Sequence, residues 1–92
     1  MKVIWSTLAQ IELQDAIAGA EAIDPAWADA VLSEIERVQL LLMRHPRSGP
    51  AIGTSGMRKW RLGGLPFVLI YRLREPDLDI VRFHHARADW RP

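Results

Sequence analysis

Phe67-Val68-Leu69-Ile70-Tyr71 is the stretch of this sequence that decides the fold. Five consecutive apolar or aromatic residues, bounded by turn signals, predict a central strand that is covered on both of its faces. Gly63-Gly64-Leu65-Pro66 precedes this stretch and Glu75-Pro76-Asp77 follows it, and both segments are typical hairpin connectors. The β-prone runs at residues 57–62 and 78–84 are therefore predicted to be its antiparallel neighbours.

Two amphipathic helices are predicted ahead of these strands. The first runs to about residue 22, with Ser6 and Thr7 as candidate N-caps, and it carries apolar residues at spacings of three and four: Ala9, Leu13, Ala16, Ile17 and Ala20. Asp24-Pro25 predicts a restart, with Asp as N-cap and Pro at the first helical position. The second helix ends before Pro46, because the residue before a proline is disfavoured in the helical region. Its predicted buried stripe is Trp27, Val31, Ile35, Val38 and Leu42.

The remaining segments complete the expected architecture. Residues 46–56 are rich in Pro, Gly and Ser and are predicted to be a loop, and Val3–Trp5 is predicted to join the sheet as an extra strand. The fold class is α+β with the order β-α-α-β-β-β. The N-terminal helical hairpin is expected to pack on one face of a small, mainly antiparallel twisted sheet. At 92 residues, the chain is expected to form a single domain over residues 1–92.

Composition excludes several functional classes. The chain has no cysteine, which excludes disulfides, thiolate zinc sites and cysteine nucleophiles. It has neither the apolar run of a signal peptide nor that of a membrane span, so we expect a cytoplasmic protein with no membrane partner. The three histidines, His45, His84 and His85, have no metal-binding spacing, and we expect no metal or other cofactor.

Charge is unevenly distributed along the chain. The net charge is +1, but residues 1–56 carry −3 and residues 57–92 carry +4. A clustered basic surface steers anionic partners, although a merely solvated basic face is an equally ordinary outcome.

An ordered set of five motifs resembles the RelE/ParE toxin superfamily. The set covers essentially the whole chain: Lys2-Val3-Ile4-Trp5-Ser6, His45-Pro46-Arg47-Ser48-Gly49, Gly56-Met57-Arg58, Phe67-Val68-Leu69-Ile70-Tyr71-Arg72, and the closing run from Ile80 to Trp90. The resemblance implies the toxin of a bacterial type II toxin–antitoxin system, with a cognate antitoxin protein as partner. It also implies contact with operator DNA only indirectly, through that antitoxin.

The resemblance leaves two targets open. RelE-like members cleave messenger RNA on the ribosome, whereas ParE-like members inhibit DNA gyrase. In the nuclease alternative the catalytic candidates are Lys59, Arg61, His84 and Arg87, because cations stabilise a pentavalent phosphate and a histidine exchanges protons near neutral pH. Lys59 and Arg61 are predicted to share one face of their strand.

The RelE pattern is only half present. Its basic pair matches Lys59 and Arg61, and its late arginine matches Arg87. The arginine that begins the middle strand falls at Val68, however, and the C-terminal tyrosine would fall just past Pro92. Trp90 is the nearest aromatic residue, and it has no proton suited to acid–base chemistry.

The ending His84-x-x-Arg87-x-Asp89-Trp90 and the strand from Pro66 to Arg72 resemble the ParE branch more closely. We therefore expect a ParE-like gyrase inhibitor, which inhibits growth without a catalytic residue set. Its expected target-binding residues are Arg58, Lys59, Arg61, His84, His85, Arg87 and Trp90. A third reading is an inactive toxin that only binds its antitoxin, and a neighbouring short antitoxin gene would favour a working pair over it.

Overall fold

The structure is a computed structural model that describes residues 1–87. It confirms the α+β class and the predicted order, with one additional short strand. The elements are β1 (Val3–Trp5), α1 (Thr7–Ile23), α2 (Pro25–Arg44), β2 (Ala51–Ile52), β3 (Met57–Arg61), β4 (Phe67–Arg74) and β5 (Asp77–His85). The five strands form one sheet in the order β1-β5-β4-β3-β2. Among the strand pairings within residues 1–87, only that of β1 with β5 is parallel.

Side-chain caps set where both helices begin. The Ser6 hydroxyl accepts a hydrogen bond from the Ala9 amide at 3.0 Å, so Ser6 is the N-cap of α1. Thr7, the other predicted cap, is instead the first helical residue. The Asp24 carboxylate accepts from the Ala26 amide at 2.9 Å, and Pro25 occupies the first position of α2, as predicted.

The helical hairpin covers one face of the sheet. The predicted stripe of α2 is buried at Val31, Ile35, Val38 and Leu42, while Trp27 is half-buried. The stripe packs with Leu69, Tyr71 and other sheet residues in one core cluster. Within that core the Phe67 and Phe83 rings stack with their centroids 5.1 Å apart.

The central strand β4 is buried on both faces, as its sequence predicts. Phe67, Leu69 and Tyr71 belong to the core under the helices. Val68 and Ile70 point to the opposite side, because successive strand residues alternate between faces. They are only 6% and 1% exposed. We call the side of the sheet that carries Val68 and Ile70 the open face.

The segment predicted to be a loop contains β2, which is an error of the sequence analysis. Ala51 and Ile52 pair with Arg58 and Met57, and the Lys59 amide donates to the carbonyl of Pro50 at 3.1 Å. The two-residue strand escaped prediction because its pairing depends on β3 and not on its own short sequence.

The loop before β2 is fixed from the core. The buried Gly49 donates its amide hydrogen to the Tyr71 hydroxyl at 2.9 Å, and its carbonyl accepts from Arg58 at 2.8 Å. Burial raises the pKa of Tyr71, while the Gly49 hydrogen bond and the Arg58 charge act in the opposite direction. The loop therefore holds β3 in place beside β4.

Candidate target-binding surface

The open face carries an array of basic groups on three adjacent strands. Residues that pair directly across antiparallel strands share a face, so the pairing register identifies its members. One row runs from Lys59 on β3 through Ile70 on β4 to Arg82 on β5. The next row runs from Arg61 through Val68 to His84. The predicted shared face of Lys59 and Arg61 agrees with this register, and His84 lies two strands away on the same face.

Lys59 and Arg61 are the exposed cations of this array. Across residues 1–87, neither side chain forms an ion pair with a carboxylate. Alternate residues of one strand have Cα atoms about 7 Å apart, so the side chains of Lys59 and Arg61 extend from the open face at about this spacing.

Arg82 is tied to the helical layer. Its guanidinium donates to both carboxylate oxygens of Glu12 on α1 at 2.9 and 2.8 Å, and the Phe83 amide also donates to Glu12 at 3.1 Å. Burial raises the pKa of Glu12, but the hydrogen bonds from Arg82 and from the Phe83 amide outweigh it, so the net shift is downward.

His84 is half-buried at the end of β5. Its Nδ1 lies 2.9 Å from the carbonyl oxygen of His85. Because a carbonyl oxygen only accepts hydrogen bonds, Nδ1 must carry the proton, and in the neutral ring Nε2 is then the acceptor. This tautomer suits either a positioned contact or a proton acceptor.

Arg58 and His85, both expected on the target-binding surface, lie on the helix side of the sheet. Arg58 pairs with the core residue Tyr71, and its guanidinium donates to the carbonyls of Gly49 and Arg47. His85 pairs with Phe67, and the two rings meet edge-on with centroids 5.8 Å apart. These positions give Arg58 a structural task and separate His85 from Lys59 and Arg61.

Arg87 is the last residue that the structure describes, and its side chain is exposed. Its amide donates to Nδ1 of His85 at 3.2 Å, which fixes the chain just beyond β5. Trp90, the remaining expected contact residue, lies outside the described residues.

Two further arginines on the open face were missed by the sequence analysis. Arg72 and Arg74 pair in register with Asp79 and Asp77. The guanidinium of Arg74 donates to both carboxylate oxygens of Asp79 at 2.7 and 3.0 Å. The guanidinium of Arg72 lies 3.5 Å from the same carboxylate. The hydrogen bond from Arg74 is the main cause of the lowered pKa of Asp79. The sequence signal was the match of Arg72-x-Arg74 with Asp77-x-Asp79 across one hairpin.

Charge on the open face is therefore polarised. At the end near the β4–β5 turn, two arginines face two aspartates. At the opposite end lie Lys59, Arg61 and His84, with Arg87 just beyond β5. Within residues 1–87, Lys59 and Arg61 at this second end form no ion pair with a carboxylate, whereas Arg72 and Arg74 at the first end do.

A separate groove lies between the helical layer and the ends of β4 and β5. Its volume is about 490 Å³, and His85 stands at its edge together with helical and strand residues: Asp15, Ala16, Gly19, Ala20, Ile23, Trp27, Pro66 and Phe67. The lining is mainly apolar, so the groove differs in character from the basic open face.

Two negative findings apply to the described part of the chain. Among residues 1–87, no group of three or more His, Asp or Glu side chains is arranged to hold a metal ion. Neither of the helices in this range has the length and apolar character needed to cross a membrane.

Comparisons with known proteins agree with the fold described above. Residues 3–90 match the family model described as the ParE toxin of the type II toxin–antitoxin system, parDE. The fold is similar to a solved structure described as the chromosomal ParDE toxin–antitoxin system from P. aeruginosa, with a TM-score of 0.77 and 19% sequence identity. That match covers 92% of this chain and 95% of the other, and at this identity it shows the fold alone. A comparison with functionally curated proteins finds no match.

The helical hairpin on one face of a small sheet is the fold that the resemblance to RelE/ParE toxins implies, and the ParDE structure shares it. Within that class the chain belongs to the ParE toxin family, so the branch expected from its sequence is confirmed.

Proposed function

We propose that this ParE-family toxin acts in the cytoplasm, inhibits growth by poisoning DNA gyrase, and is neutralised by a cognate antitoxin. Residues 1–92 act as one toxin domain in this proposal, without a catalytic residue set, metal or cofactor. The sequence of the operator DNA is recognised only through the antitoxin.

One observation carries the choice of gyrase over messenger RNA. Val68 lies between Arg61 and His84 on the open face, at the position where the RelE-like pattern has an arginine. An aliphatic side chain neither donates a hydrogen bond nor stabilises the charge that develops on a phosphate during cleavage. The face therefore retains basic groups for contact but lacks a central group of the nuclease pattern.

The decisive experiment compares two assays on the same protein. We expect the purified toxin to inhibit DNA supercoiling by gyrase and to leave ribosome-bound transcripts intact. In cells, the supercoiling of plasmid DNA should change before messenger RNA decays. Transcripts cut at defined codon positions, together with unaffected gyrase, would contradict the proposal.

Arg87→Ala tests whether the surface beyond β5 contacts the target. Arg87 is exposed, so the substitution should change stability by no more than about 0.5 kcal/mol. We expect growth inhibition to weaken in a plate assay with titrated expression. Arg44→Ala removes an exposed arginine at the end of α2 and is the matched control. Full toxicity of the Arg87 variant would exclude this surface.

The nuclease remains the second candidate, because Lys59, Arg61 and His84 lie together at one end of the open face. Histidine and lysine at such a site can transfer a proton and stabilise a phosphate. If this candidate is correct, His84→Ala and Lys59→Ala will each abolish ribosome-dependent cleavage. If the parent protein does not cleave transcripts, neither variant will differ from it in the cleavage assay.

A further inference from the structure

The two rows of the open face that contain Lys59 and Arg61 differ from the rest of the described surface in what they expose. Among residues 1–87, the large apolar side chains that are exposed lie on β1, on the helices or at Met1. None of them lies on β3, β4 or β5. Val68 and Ile70 are apolar but already buried, so a partner bound there would cover little additional apolar surface.

This distribution favours one class of partner. A protein partner gains most of its affinity by burying apolar and aromatic groups. A nucleic acid backbone gains affinity from charge alone, because each neutralised phosphate releases condensed counterions. Ile4 on β1, which is exposed, pairs with Asp79 and lies at the other end of the open face. In their own two rows, Lys59 and Arg61 supply exposed charge beside the buried Ile70 and Val68, which matches the second kind of partner.

The aromatic residues of the described strands make duplex a better fit than single strands. Proteins that bind single-stranded nucleic acid stack bases on exposed aromatic rings. On the strands β3–β5 the aromatic residues Trp60, Phe67, Tyr71 and Phe83 all belong to the core cluster or pack against it. The open face of these strands therefore offers cations without a stacking platform.

We propose that the open face binds the phosphate backbone of duplex DNA, independently of sequence, through Lys59 and Arg61. This inference rests on the proposed function. Gyrase acts on duplex DNA, so a toxin that binds gyrase in its complex with DNA lies close to the DNA as well as to the enzyme. Lys59 and Arg61 project from alternate positions of one strand, about 7 Å apart, and each contacts a phosphate of one DNA strand.

Fluorescence anisotropy with a labelled DNA duplex, in the absence of gyrase, tests the proposal directly. The full chain is titrated at several salt concentrations between about 50 and 200 mM, a range in which phosphate contacts weaken measurably. For the variant Lys59→Gln/Arg61→Gln we expect weaker binding to every duplex sequence. The slope of log affinity against log salt should fall by about 0.9 for each lost phosphate contact.

Arg44→Gln/Arg47→Gln is the matched control. It removes two exposed charges at the end of α2 and in the following loop, away from the open face. This control should retain the affinity and the salt slope of the parent protein. If it loses binding while the open-face variant keeps it, the DNA site lies at the end of α2 and the proposal is wrong. Far-UV circular dichroism confirms that both variants remain folded.

The outcomes separate this inference from the proposed function. Absence of duplex binding, with gyrase still inhibited by the parent protein, would overturn the DNA contact and leave the gyrase target standing. Duplex binding without inhibition of gyrase would reject the gyrase target and retain the contact. Tighter binding to single-stranded RNA of the same sequence would overturn the assignment to duplex DNA and favour the nuclease.

Discussion

Gly49 lies where a side chain would displace its neighbours. A Cβ atom at this position would lie 2.5 Å from the carbonyl oxygen of Lys59 and 2.7 Å from the Tyr71 hydroxyl. We expect Gly49→Ala to lower the free energy of unfolding by about 1–3 kcal/mol, the usual range for an overpacked site. Urea denaturation measures this change.

Gly19→Ala is the control for that substitution. A Cβ at Gly19 meets no atom within 4 Å, and alanine is favoured over glycine inside a helix. The control should leave stability unchanged or raise it by up to about 1 kcal/mol. If Gly49→Ala destabilises the protein no more than Gly19→Ala, the residues around Gly49 accommodate the added Cβ atom and the prediction is wrong.

Tyr71 contributes to the free energy of unfolding, and this contribution is expected to decrease at alkaline pH. Tyr71→Phe leaves the buried Gly49 amide without its acceptor, and we expect a loss of about 1–3 kcal/mol near neutral pH. The pKa of Tyr71 is raised in the folded protein, so the neutral phenol stabilises the native state fully only below its unfolded pKa of about 10.

This sign sets the expected pH profile. As pH rises through the raised pKa of Tyr71, the parent protein loses a contribution that Tyr71→Phe never had. The difference in unfolding free energy between the two proteins should therefore narrow above about pH 10. Denaturation series at neutral and alkaline pH measure it, and a constant difference would mean that Tyr71 does not titrate differently in the folded state.

At the scale of elements, α1 is attached to the sheet edge through Glu12. The strand β1 pairs with β5 only as far as Ile80, and beyond it the carboxylate of Glu12 accepts hydrogen bonds from the Phe83 amide and Arg82. We expect Glu12→Gln to destabilise the protein by about 1–3 kcal/mol at neutral pH, because hydrogen bonds to a charged group are lost.

The pH dependence of that effect follows from the lowered pKa of Glu12. A carboxyl with a lowered folded pKa stabilises above its unfolded value, here 4.5, and the contribution is lost as pH falls through the folded value. The stability curves of the parent and Glu12→Gln should therefore converge below about pH 4. Glu21→Gln, on the exposed side of the same helix, is the matched control and should change stability at neutral pH by no more than about 0.5 kcal/mol.

The elements themselves were largely predictable from sequence, and the long-range contacts were not. The Asp24-Pro25 restart, the buried stripe of α2 and the apolar run of β4 are local signals, and all three correspond to the structure. The shared face of Lys59 and Arg61 follows from strand alternation in the same way.

The sequence does not indicate contacts between residues that lie far apart in the chain. The guanidinium of Arg58, which is predicted to contact the target, donates to loop carbonyls nine and eleven residues away. Glu12 and Arg82 are separated by 70 positions, and no local pattern indicates that they meet. Strand β2 is too short to carry a signal of its own.

For the molecule as a whole, Trp5 connects the first strand to both layers. Its Nε1 donates to the side-chain oxygen of Gln39 on α2 at 3.1 Å, and its ring lies 6.3 Å from that of Phe83 on β5. We expect Trp5→Ala to destabilise the half-buried site by about 2–3 kcal/mol, below the range for a fully buried tryptophan.

Trp5→Phe separates the packing of the ring from the hydrogen bond. It should cost about 1 kcal/mol, the typical net value of one hydrogen bond. Hydrogen exchange of the Ser6 and Leu78 amides, which donate across the β1–β5 pair, should accelerate more in the alanine variant. Equal exchange in both variants would show that Trp5 does not hold β1 in place.

The parallel pairing of β1 with β5 also determines when during synthesis the sheet can be completed. Residues 3–5 are synthesised before the rest of the sheet, and their partners at residues 78–80 are made only after both helices and three other strands. Until β5 emerges, β1 has no neighbour and the basic rows of the open face lack their β5 members. A nascent chain that stops before Asp77 therefore carries the helices but only part of this surface. Both helices and the first four strands are therefore synthesised before the surface on which the proposed activity depends is assembled.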